Sequence, residues 1–424
     1  MALKAGLEEY NPALYEYNSE ERFNEVFDSL YNSMDDTSWL SFFRVASRLG
    51  AEMNEGHLTI GSSKAPFRRG FADGSFKYMP LGMSIAGDSL FLWKHVTEDT
   101  TFRQGDRIIS INGKTAEEIV AQLGDYILTD GHIKTARNHT IRNLFTWLYF
   151  WYIEQPDSFS LKFQSPGSNE IKEVVLPALT HKEVGEAARK KFPPKAEEAE
   201  SGDKFHIKEI VDKTAYLKLK SFDWRIVEEY QLDADKFYED FFRDLKAQSV
   251  DYLIVDLRGN RGGRKEFANS MIPCINKAGF TGKYFESIKY SGGVTEYETP
   301  ENSQYFFDGK IFVITDGGTF SSGTSLAVFL KELGHAIVVG EETGGRYEGF
   351  VAGSSEEVTL PNSGAKVYIP RYNMVNLTAI SQKTSNRGLL PDHEVTYTPE
   401  EKISGIDKER KLIDSLIVEM KNRK

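Results

Sequence analysis

The chain has 424 residues, enough for about two or three domains, and is 40% hydrophobic and 27% charged. That is an ordinary composition with material for a core, and it excludes collagen, coiled-coil and low-complexity classes. A net charge of −11 without a basic block argues against general nucleic-acid binding, the lone Cys274 rules out an internal disulfide and a cysteine zinc site, and no apolar run nears the ~20 residues of a membrane span.

The opening MALKAGLEEYNPALYEY lacks the basic-then-apolar layout of a secretory signal. Two compartments stay open: the cytoplasm, or a place outside it reached by a signal absent from this sequence. Residues 18–34 read as a helix, with Asn18 and Glu21 at capping-box spacing and Phe23, Val26, Phe27 and Leu30 on one stripe. A second helix is predicted from Ser38 to Met53. It stops at Asn54-Glu55-Gly56, after which His57-Leu58-Thr59-Ile60 is extended. Residues 1–65 are thus a helical segment that delivers a histidine at its end.

Short strands follow at 89–93 and 107–111, the latter closed by Asn112-Gly113, then a helix at 116–123. Strands at 159–163 and 173–176 flank Pro166-Gly167, which makes 66–180 an α+β module with mostly antiparallel pairing. The aromatic run Phe145–Tyr152 reads as a buried helix. Residues 181–203 are charged and Pro-interrupted, a linker composition with room for a short helix. From Lys204 the pattern alternates: strand 215–219, helix 226–247, strand 252–257, helix 264–277, strand 311–314, helix 322–334, strand 336–339 and a last helix at 407–422. Such alternation with unpatterned Val/Ile/Leu strands implies an α/β core, a mostly parallel sheet with covering helices, over 204–424.

Three polar, Gly-bearing loops end three successive strands of that sheet: 256–263 (DLRGNRGG), 316–324 (DGGTFSSGT) and 340–346 (GEETGGR). Strand ends of this kind are where open α/β sheets bind ligands. A serine entering a helix, such as Ser321, has its hydroxyl where an oxyanion is stabilised, although a helix cap would look the same. No nucleotide-binding glycine motif, HExxH or His/Cys cluster is present, so no metal or cofactor is expected.

At these loops the sequence resembles the C-terminal-processing, or tail-specific, serine peptidase family, and its tricorn-like branch more than its Ser-Lys branch. Tyr252–Gly263, Thr319–Thr324, Val338–Gly345 and Arg387–Asp392 carry the resemblance; Gln104–Gly113 resembles a PDZ signature and Asn54–Thr59 the stretch that brings the branch its histidine. The resemblance implies a crotonase/ClpP-like core and a PDZ-like domain that captures peptide. It also implies Ser321 as nucleophile and His57 as general base, with the N–H groups of Ser322 and of Gly262 or Gly263 as oxyanion hole. Peptide or unfolded protein would be the substrate and a periplasmic or other extracytoplasmic site the location. Position 346, where the Ser-Lys branch has its lysine, is arginine, which cannot serve as a base. The branch's orienting glutamate aligns with Ser385, which leaves the third member open among Ser385, Glu342, Glu348 and another carboxylate. A non-catalytic peptide- or small-molecule-binding relative on the same fold is the alternative reading, and a crotonase-like acyl transferase or hydratase a remote third.

Overall fold

A computed structural model describes residues 1–34, 36, 38–61, 74–193, 203–376 and 386–423. The runs of Val, Ile and Leu beyond residue 204 form a six-stranded sheet. Its order is His206–Val211, Thr214–Leu219, Tyr252–Asp256, Lys310–Thr315, Ile337–Gly340, His393–Glu394. The first pair is antiparallel and the rest are parallel. The missing alternation has a direct cause, because both faces of the sheet are covered. Leu253, Val255, Ile311 and Val313 join a core with the helices Ala234–Ala247 and Ser322–Glu332. Their neighbours Tyr252, Ile254, Phe312 and Ile314 meet Ile413 and Ile417 of the C-terminal helix Lys408–Asn422.

A second sheet was not anticipated. It joins Lys283–Lys289, Val294–Glu298, Gly349–Thr359 and Lys366–Val375 to the two-residue strand Thr59–Ile60, all antiparallel. That short strand pairs Thr59 with Tyr368 and Ile60 with Val367, which ties the residues after His57 to the core. Leu3, Leu7, Phe23 and Leu49 of the opening helices pack on the same hairpin through Val367 and Ile369.

Between these lies an antiparallel sheet in the order Leu81–Ala86, Ser89–His95, Arg107–Ile111, Ser158–Gln164, Ile171–Pro177. The helices Ala116–Gly124 and Lys134–Tyr152 pack on it. The aromatic run lies in the second of these helices and is mostly buried, while Leu144 stands at a kink and is exposed.

Several expected boundaries shift. The first predicted helix is Glu20–Asn32, capped by Ser19 instead of Asn18, whose amide donates to Glu52 O. A further helix, Ala2–Tyr10, precedes it. The helix expected at 226–247 is two, Trp224–Glu229 and Ala234–Ala247, separated by Gln231 at φ 50°. Asp233 caps the second. The helix expected at 264–277 is two short turns, Glu266–Asn269 and Ile272–Ile275, because Pro273 cannot continue a hydrogen-bonded helix. Within 181–203 the helix His181–Lys191 forms behind a Thr180/Glu183 capping box.

Candidate active site

The loop 316–321 is held from beneath by its own polar side chains. Thr319 Oγ1 donates to Leu257 O at 2.9 Å, Thr324 Oγ1 donates to Thr319 O at 2.9 Å, and Phe320 N–H donates to Asn260 O at 2.9 Å. The chain then turns sharply into the helix Ser322–Glu332 with Ser321 at φ 55°, ψ −131°. A non-glycine residue there is strained by about 1–3 kcal/mol, and such strain concentrates at functional sites. Ser321 occupies the cap position, yet its side chain makes no cap bond. The alternative reading of this serine as a helix cap therefore fails. Ser322 is the structural partner of the pair: buried, its Oγ accepts from Gly263 N–H at 2.9 Å and donates to Gly263 O at 3.2 Å.

The glycine loop 259–263 reaches the serine by close approach. A Cβ on Gly262 would lie 2.8 Å from Phe320 O, Ser321 Cβ and Ser322 N. The three groups expected to form an oxyanion hole are thus brought together, but two are engaged. Gly262 N–H donates to Asn260 Oδ1 at 2.8 Å and Gly263 N–H to Ser322 Oγ.

His57 arrives from the other end of the chain and is sandwiched between two rings. It stacks on Phe320 at 4.5 Å and on Phe350 at 5.1 Å. Phe320 is the residue before Ser321, so histidine and serine loops are in contact. No hydrogen bond joins the two side chains, and among the described residues neither buried ring nitrogen of His57 has a partner. Nδ1 faces two carboxylates, Asp130 Oδ1 at 3.8 Å and Glu55 Oε1 at 3.9 Å. Burial, then the charge of Asp130, pushes the Glu55 carboxyl well above the usual range. Together Glu55, His57 and Asp130 gather donor atoms within 4.8 Å of one another, a group that motif spacing could not reveal.

Sequence reasoning missed Asp130 and Glu55. It also missed His139, which packs against Gly318, with Nδ1 3.9 Å from Asp316 Oδ2 and 3.1 Å from Arg142 Nη2. Burial pushes this imidazole toward its neutral form. Of the residues considered for the third member, Glu342 is held by Arg387 in a bidentate pair at 2.6 and 2.7 Å and by Gly388 N–H at 2.8 Å. Glu348 anchors Asn376 through its backbone carbonyl and acts electrostatically on Arg346. Ser385 lies outside the described residues. Arg346 is buried, donates to Gly349 O at 2.6 Å, pairs with Glu16 and lies 5.3 Å from the Tyr17 ring.

A cleft of about 880 Å³ runs between the edge strand Leu81–Ala86, with Trp93 and Leu144, and the core residues Arg258, Asp316, Glu341 and Lys402. Ser321 and His57 do not line it. Among the described residues, no helix is long and apolar enough to cross a membrane.

Residues 213–395 match the family model described as Peptidase family S41. The solved structure of mature CPAF complexed with lactacystin superimposes with a TM-score of 0.69 at 12% identity, covering 100% of this chain and 99% of that one. Mature CPAF alone gives 0.64 at 14% identity, covering 94% and 93%. A putative peptidase from Parabacteroides merdae gives 0.50 at 14% identity, covering 98% and 94%. Identities this low speak for the fold. The matched segment holds the glycine loops and the strained serine, and over residues 213–395 the chain is similar to peptidase family S41.

Proposed function

We propose that the chain is a serine endopeptidase working through an acyl-enzyme on Ser321 with His57 as general base. His57 Nε2 takes the Ser321 proton as Oγ bonds to the substrate carbonyl carbon. The C–N bond then breaks and the same proton passes to the leaving amine. Water, deprotonated by His57, cleaves the acyl ester and restores the serine. The N–H of Ser322 stabilises the oxyanion; that of Gly262 or Gly263 joins it on exchanging its present side-chain acceptor. The observation that carries this reading is the stacking of His57 on Phe320, which brings an imidazole from the opening segment to the strained serine turn.

The division into a helical segment 1–65, a PDZ-like domain 66–180, a linker 181–203 and a crotonase/ClpP-like catalytic core 204–424 belongs to the same proposal. Among the described residues Leu81–Ala86 is the edge strand of its sheet and lines the cleft, which supports capture of an extended peptide by strand addition. A location outside the cytoplasm rests on the family resemblance.

The engaged N–H groups of Gly262 and Gly263 favour the second reading, a non-catalytic binder of peptide or small molecule. Labelling with a fluorophosphonate separates the two. The wild type should label, Ser321→Ala should not, His57→Ala should label at least 100-fold more slowly, and His139→Ala should stay close to wild type. An unlabelled, folded wild type would make the chain a binder.

A further inference from the structure

The loop 128–132 joins the helices Ala116–Gly124 and Lys134–Tyr152 and reaches the histidine from a side the sequence does not advertise. Gly131, at φ 59°, approaches Asn386 so closely that a Cβ would lie 2.3 Å from its carbonyl oxygen. Its N–H donates to Asn54 O at 2.8 Å, and Asp130 Oδ1 accepts from Gly56 N–H at 2.8 Å. The loop thus clamps Asn54 and Gly56, two of the three residues that precede His57 in its turn. Asp130 is 1% exposed, and its second oxygen, Oδ2, is buried with no partner among the described residues. The same holds for Nδ1 of His57, 3.8 Å from Oδ1.

We propose that Asp130 is the positioning carboxylate of His57, orienting the ring through Nδ1 and balancing the imidazolium formed when the serine proton arrives. This inference rests on the serine-peptidase reading above. The present contact is a charge contact; an approach of roughly 0.8–1 Å makes it an N–H···O hydrogen bond. Tightening of this kind is ordinary when substrate closes a site. With Nδ1 turned to the carboxylates, Nε2 is the nitrogen left for the serine.

Glu55 is equally near but is a different kind of partner. Its Oε1 accepts the His57 backbone N–H at 2.6 Å, and burial, then the charge of Asp130, raises its carboxyl well above the usual range. Tyr17 also stands beside the two carboxyls, with Arg346 and Glu16 around it. Tyr17 is pushed far up by burial and stays neutral, and Arg346 is a fixed cation paired to Glu16.

The test compares Asp130→Asn, Asp130→Glu and Glu55→Gln in the full chain. Asparagine keeps an acceptor for Gly56 N–H, so a purely structural role predicts near-wild-type turnover. The positioning role predicts a fall in kcat/KM of about 10²–10⁴-fold with KM little changed. Glutamate should restore at least part of the loss. Glu55→Gln, which keeps an acceptor for the His57 backbone N–H, should stay within about fivefold. Melting temperatures check that each variant folds. A folded Asp130→Asn enzyme with an unchanged rate overturns the inference. If His57→Ala abolishes labelling in that case, only the inference falls; if His57→Ala is active, the base assignment falls with it.

Discussion

Gly262 shows how closely the two loops around Ser321 are fitted. At φ 80°, with three atoms of the serine turn 2.8 Å from any added Cβ, it admits no side chain. Gly262→Ala should destabilise the fold by about 1–3 kcal/mol and lower turnover more than stability, because the first atoms displaced are those of Ser321 and Ser322. A urea midpoint and rate equal to wild type would refute this. The meeting of Ser321, Ser322 and Gly262 was legible because each sits in a short motif at a strand end. Ser322 was expected to lend only a backbone N–H, and its hydroxyl turns out to hold Gly263 as well. Asp130 and Glu55 were not legible. Glu55 stands inside the Asn54–Thr59 stretch, but its burial beside His57 is a tertiary contact; Asp130 belongs to no motif, and the loop carrying it is fixed by contacts such as Gly131 with Asn386 and Asn54.

Among the elements, the parallel strands were readable because burial on both faces leaves nothing but apolar residues. The hairpin Gly349–Thr359 with Lys366–Val375 was not, since its outer half is exposed and mixed in composition. Helix breaks followed local chemistry that the periodicity hid: Pro273 in one case, the Asp233 cap in the other. The opening segment is fastened by a side chain the sequence reading treated only as a missing lysine. Arg346, 8% exposed at its side chain, pairs with Glu16, which keeps 29% exposure, and lies over Tyr17. Arg346→Met should cost about 1–3 kcal/mol, below the loss for a fully buried pair because Glu16 retains some water. Hydrogen exchange at residues 11–19 should rise in that variant. Unaltered protection would mean that apolar packing alone holds the segment.

Across the molecule, one ionic network links the glycine loop to the C-terminal helix. Asp256, fully buried, accepts from Tyr216 at 2.7 Å, Lys218 at 3.3 Å and Arg258 at 2.7 Å, and Arg258 continues to Asp407 at 2.8 Å and Glu409 at 3.1 Å. Burial alone would raise the carboxyls of Asp256 and Asp407, but the Arg258 guanidinium outweighs it and holds both below the usual range. Groups depressed in this way stabilise fully above their unfolded value, near 4, and lose that contribution as pH falls through the folded value. Glu409, raised chiefly by burial, runs the opposite way and softens the fall. Asp407→Asn should therefore lower the urea midpoint at pH 6, and its difference from wild type should shrink toward pH 3. A difference constant with pH would show that the network's worth is packing and not charge.

The sandwich of His57 between Phe320 and Phe350 has a consequence for biosynthesis. Ribosomes deliver the imidazole early, but the second wall of its slot is Phe350 of a 424-residue chain, so the slot around His57 closes only when translation is nearly complete.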